Sequence, residues 1–116
     1  MEKFKKIRWI GSSREDLKEF PSAAQDRIGY GLYEAQLGVF PHYAKPLKGF
    51  NGVFEIICDF DKNTYRTIYA TKLGDHIYVL HAFQKKSIVR IKTPRHEIDL
   101  IKTRFNTAKS IAAGDL

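Results

Sequence analysis

Phe83-Gln84-Lys85-Lys86 sets an aromatic ring and two ammonium groups at the exit of an apolar run, Ile77 to Phe83. A buried strand has no use for a lysine pair at its end. An exposed ring beside two cations suits nucleic acid, whose phosphates would meet the lysines and whose bases would meet the ring. The basic character continues: from Gln84 to Arg104 stand Lys85, Lys86, Arg90, Lys92, Arg95, Lys102 and Arg104, against Glu97 and Asp99. Lys45 and Lys48 join them if their loop lies near the strand exit. A solvated helix face would account for the basic helix alone; with the strand exit added, a solvated face and a nucleic-acid surface both stay open.

Glu55 and Arg66 form a second constellation, two charged residues with mostly apolar neighbours on adjacent strands. If those strands pair about an Asp61-Lys62-Asn63 turn, the two fall close to opposite each other. They then make either an ordinary cross-strand ion pair or a carboxylate and a guanidinium held over one concave surface. The planar guanidinium fork can bridge two phosphate oxygens and so suits a phosphorane-like charge. The histidines carry less: His81 lies inside a strand, where a buried or half-buried core role is expected, and His42, His76 and His96 show no metal-ligand spacing. Cys58, the single cysteine, sits in an apolar run and reads as a packed small residue, not a nucleophile. With no Walker loop, dinucleotide fingerprint or nucleophile elbow, neither a metal nor a cofactor is expected.

The elements that must position these groups follow from periodicity and punctuation. Lys3 to Ile10 can form a first strand, with Phe4 and Ile7 or Trp9 as apolar contacts. Ser12 and Glu15 fit a capping box ahead of a short helix carrying Leu17 and Phe20, which Pro21 stops. Ser22 to Gln25 repeats the capping pattern, and Ala24, Ile28, Leu32 and Ala35 give the second helix one buried stripe. Gly38 and Pro41 end it, and Gly29 and Gly31 within it suggest close packing. Residues 42 to 52 read as an irregular loop. Three strands follow as an antiparallel meander: Val53 to Phe60, Thr64 to Thr71 and Ile77 to Phe83. Thr93 as N-cap and Pro94 at N1 open a last helix with Ile98, Ile101, Phe105 and Ala108 on one face. The tail from Ala112 is expected to fray.

A chain of 116 residues with 43% hydrophobic content is expected to be a single domain, residues 1–116. One cysteine excludes an internal disulfide. The net charge of +7 favours acidic partners such as nucleic acid. No signal-peptide pattern is visible and no segment reaches the roughly 20 apolar residues of a membrane helix, so a cytoplasmic protein without a membrane partner is expected.

The order of these parts resembles the RelE/ParE superfamily of toxins, most closely its HigB-like, phage-related branch. The matching pieces are Lys45-Pro46-Leu47-Lys48-Gly49, Gly52 to Ile56, Tyr65 to Tyr69, Val79 to Lys86 and Thr93 to Ile98. The resemblance covers nearly the whole chain, from Leu17 to Phe105. It implies an α+β, RelE-like fold: two N-terminal helices packed on a twisted antiparallel sheet of about four strands, plus a C-terminal helix beside it. It also implies the toxin of a type II toxin–antitoxin system, a metal-independent endoribonuclease that cuts mRNA on the ribosome. A helix-turn-helix, HigA-like antitoxin would neutralise it. Carried over, Arg66 stabilises the transition state, Lys85 and Lys86 hold phosphates with Lys86 at the catalytic centre, and Glu55 is a candidate base. Lys45, Lys48, Phe83, Arg90 and Lys92 would bind RNA, with Phe83 packing against or stacking on a base. Two positions depart from the pattern: Ile57 stands where relatives often carry arginine, and Ala82 where they often carry glycine. The same fold also fits a ParE-like protein that binds DNA gyrase without cleaving RNA, or an inactive phage-related binding module.

Overall fold

The computed structural model describes residues 4–85 and 93–114. Its elements are β1 (Lys6–Trp9), α1 (Ser13–Lys18), α2 (Ser22–Gln36), β2 (Ala44–Pro46), β3 (Val53–Phe60), β4 (Asn63–Leu73), β5 (His76–Lys85) and α3 (Arg95–Ala112). The five strands form one sheet in the order β1-β5-β4-β3-β2. The meander of β3, β4 and β5 is antiparallel as expected. The sheet as a whole is mixed, because β1 runs parallel to β5. The count is five, not about four, because β2 forms inside the segment read as an irregular loop, pairing Ala44–Pro46 with Phe54–Ile56. Pro46 is tolerated there because an edge strand has one side that needs no ladder donor.

Each face of the sheet has its own core. On one, Leu17 of α1, Phe20 of the link after it, and Ala24, Ile28, Leu32 and Ala35 of α2 cover Ile56, Cys58, Tyr65, Tyr69, Ile77, Val79 and Ala82. On the other, Ile101 and Ala108, with Ile98 and Phe105, pack on Val53, Ile68, Ala70, Tyr78, Leu80 and Phe83. The last helix therefore covers the opposite face and does not lie beside the sheet. Burial on both faces explains why β4 is enclosed along most of its length, with Thr64 through Ala70 all buried.

Local details correct several expectations. Ser12 caps α1 by position, but its hydroxyl donates to Asp16 Oδ2 at 2.8 Å and makes no capping bond. Gln25, expected to close a second box, donates instead to the carbonyls of Phe20 and Lys18. Pro94, not Thr93, occupies the N-cap position of α3. Phe4 is 54% exposed, so of the apolar contacts expected for the first strand only Ile7 and Trp9 join the core. Of the two glycines in α2, Gly31 is the close-packed one: a Cβ there would lie 3.0 Å from Ile56 Cδ1, whereas one at Gly29 would meet nothing within 4 Å.

The β3–β4 turn decides the site. Its loop is two residues, Asp61 and Lys62, both at positive φ (51° and 67°), and Asn63 already pairs with Phe60. This is the backbone of a type I′ hairpin. The register places Arg66 opposite Ile57 and Glu55 opposite Ile68, so Glu55 and Arg66 are diagonal neighbours on one face, not directly opposed. A three-residue turn would have paired Arg66 with Cys58 and sent its side chain to the α2 face, away from Glu55.

Candidate functional site

β2, β3, β4 and the start of α3 enclose a cleft of about 420 Å³ lined by Lys45, Pro46, Leu47, Lys48, Glu55, Arg66, Thr93 and Ile98. At its floor Arg66 Nη1 donates to Glu55 Oε1 at 3.0 Å. The same nitrogen lies 3.4 Å from Thr93 Oγ1. Glu55 and Arg66 are 4% and 3% exposed, so two opposite charges share a largely dry environment, where each is tolerable because the other is present. Among the described residues Arg66 Nε has no hydrogen-bond partner. Lys45 stands directly across from Glu55 in the β2–β3 register, and Lys45 and Lys48 are exposed at the mouth. The cleft thus combines three cations with one carboxylate, a balance that attracts an anion.

Four sequence-predicted residues, Lys45, Lys48, Glu55 and Arg66, come together here. The loop lysines meet Arg66 over β3 and β4, since β2 lies at the sheet edge farthest from β5 on that side. They do not gather at the exit of β5. Phe83 pairs with Arg66 in the β4–β5 register, but it is 6% exposed and its ring stacks on His81 with centroids 5.0 Å apart. The exposed ring expected at the strand exit is thus a core residue, buried because α3 covers this face. Lys85 is half-buried at the end of β5, paired with Thr64, and does not line the cleft. Lys86, Arg90 and Lys92 lie outside the described residues.

Sequence reasoning missed Thr93 as part of the cleft, because its place before Pro94 reads as a helix cap. In the fold its hydroxyl turns to the guanidinium. It also missed Glu97 and Arg104 as partners of His81, which is buried as expected. Cys58 is buried as well; burial pushes its thiol pKa up, and the nearby Arg27 offsets this in part. Burial, with Glu34 adding to it, also raises the phenol of Tyr69. Among the described residues no group of three or more His, Cys, Asp or Glu side chains is placed to hold a metal ion, and no helix is long and apolar enough to cross a membrane.

The family model described as "Phage derived protein Gp49-like (DUF891)" matches residues 15–106, which include every lining residue of the cleft. The chain belongs to this Gp49-like family. Gp49-like proteins are a phage-derived branch of the RelE/HigB-like toxins. No curated protein matches the sequence. The Gp49-like match runs from within α1 through most of α3, so the cleft and most of both cores fall within the part of the chain that defines the family, while β1, Ile10 and Ala108 lie outside it.

Proposed function

We propose that this Gp49-like chain is the toxin of a type II toxin–antitoxin pair and acts as a metal-independent mRNA endoribonuclease on the ribosome. A helix-turn-helix antitoxin is its partner. The observation that carries this reading is the convergence of Arg66, Lys45 and Lys48 on one cleft with Glu55 at its floor. In the reaction the 2′-hydroxyl oxygen attacks the adjacent phosphorus and the bond to the 5′-oxygen breaks, leaving a 2′,3′-cyclic phosphate and a 5′-hydroxyl. The 2′-hydroxyl proton passes to Glu55, and a lysine, assigned as Lys86, gives a proton to the leaving 5′-oxygen. Arg66 binds the phosphorane charge. Since Arg66 Nη1 is engaged by Glu55 and Thr93, the phosphate must draw the fork partly from them. Lys45 and Lys48 hold flanking phosphates as point charges.

Induced expression in a bacterium, with 5′ ends of cellular mRNA mapped, tests this reading. New 5′-hydroxyl ends within translated messages, lost in R66A, are expected; intact messages with normal growth would refute it. The depth of Arg66 favours a second reading, a module of the same fold that binds partners without cleaving. Growth unaffected by expression without any antitoxin would favour that reading.

A further inference from the structure

Leu80 and His81 both face α3, although neighbouring residues of a regular strand point to opposite faces. The cause is a β-bulge. Ile68 pairs with His81, but the next residue, Tyr69, pairs with Val79, which leaves Leu80 as the additional residue of β5. Before the bulge Tyr78 belongs to the α3 core and Val79 to the α2 core. Unbroken alternation from there would have turned His81 and Phe83 towards α2.

Turned instead towards α3, His81 is 5% exposed. Its Nε2 lies 2.6 Å from Glu97 Oε1, and its Nδ1 lies 3.4 Å from Arg104 Nη1. Arg104 also donates to the Leu80 carbonyl at 3.0 Å and to Ser12 Oγ at 3.0 Å. A guanidinium can only donate, so Nδ1 accepts, and Nε2 carries the hydrogen given to Glu97. The bulge, Arg104 and burial together select one tautomer and aim it at one carboxylate.

Glu97 lies four residues beyond Thr93, the residue whose hydroxyl meets Arg66. The start of α3 therefore touches the sheet at two polar points, Thr93 on Arg66 and Glu97 on His81. On the sheet Arg66 and His81 are linked through Phe83, which pairs with the first and stacks on the second. Ile98, next to Glu97, lines the cleft.

We propose that His81 is a positioning residue of the cleft. Through Glu97 it sets the start of α3, so that Thr93 bears on the Arg66 guanidinium and Ile98 forms the wall. Its consequence for rate rests on the nuclease reading; its geometry does not.

The test compares H81L with H81Q. A glutamine amide can donate to Glu97 and accept from Arg104; a leucine can do neither. The readouts are cleavage of mRNA on programmed ribosomes and the NMR signals of Arg66 Nε–H and the Thr93 amide in the free protein. H81L is expected to lower the rate at saturation by up to about 100-fold, the scale of a misplacement of roughly 1 Å, with the half-saturating ribosome concentration unchanged. It should also shift both signals, and H81Q should restore rate and signals. In the wild type the His81 ring nitrogens should show the Nε2–H pattern. E97A, on a side chain 17% exposed, repeats the test from the helix side should H81L not fold. Wild-type rate in H81L or E97A, or Arg66 and Thr93 signals that do not move, would overturn the proposal. A wild-type protein that cleaves nothing would overturn the nuclease reading and leave the NMR comparison to decide this one.

Discussion

Removing Glu55 alone should cost far more stability than removing Glu55 and Arg66 together. The two side chains are 5% and 4% exposed and 3.0 Å apart. At an effective dielectric of about 20, their attraction is on the order of 5 kcal/mol, a gain largely cancelled by the cost of taking both charges out of water. The pair is therefore close to neutral against an apolar pair of similar volume, but either charge alone is not. Substituting Glu55→Leu leaves Arg66 buried, with Thr93 Oγ1 as its remaining acceptor among the described residues. The expected loss is about 3–5 kcal/mol. That is a large part of the ~5–15 kcal/mol that holds a domain together. At about 4 °C per kcal/mol for a chain of this size, the midpoint should fall by ~12–20 °C. The double variant E55L/R66M should return to within about 1 kcal/mol of wild type. Urea unfolding at pH 7 with a double-mutant cycle measures this directly. A loss below about 1 kcal/mol in E55L would mean that the pair is hydrated in solution and that the burial argument for Arg66 is wrong, and no recovery in E55L/R66M would mean that the loss does not come from a stranded buried charge.

Other perturbations separate backbone from site. Gly29→Ala should stabilise by about 0.5–1 kcal/mol, because the position is helical and its Cβ meets nothing within 4 Å; Gly31→Ala should gain less or lose stability, because Ile56 Cδ1 must move, and thermal melts of both compare them. Lys62→Gly relieves a left-handed residue at φ 67° and should raise stability by up to about 1 kcal/mol in the same assay. Lys48→Ala should weaken single-stranded RNA binding and flatten the plot of log affinity against log salt by about 0.7 if it meets one phosphate; an unchanged slope in a fluorescence titration would remove Lys48 from the interface. Lys45→Ala should behave alike, since both line the cleft mouth.

Much of the fold was legible because it rests on local rules. The stripe of Ala24, Ile28, Leu32 and Ala35, the alternation of β3 and the apolar face of α3 each follow from residue spacing, and each turns towards one of the two cores, with Phe60 at the end of β3 left 40% exposed. The pairing of Glu55 with Arg66 was legible in part, since two charges in apolar strands must find one another. Edge strand β2 was not: three residues carry no periodicity, and their strand character comes from β3 alongside. Nor was the place of α3, since an amphipathic helix specifies that it must cover apolar surface but not which face of the sheet.

The sequence by itself determined the helices, the three central strands, the cationic residues and the family. Tertiary structure decided which of those residues share a site. A two-residue turn put Arg66 on the face of Glu55. A single bulge turned His81 and Phe83 to the same side, and α3 then buried the ring that had read as an exposed base contact. The physical reason is the two-residue period of a strand: one residue more or less in a turn or ladder exchanges the faces of everything beyond it. Composition and spacing do not record that parity; hydrogen-bond register does.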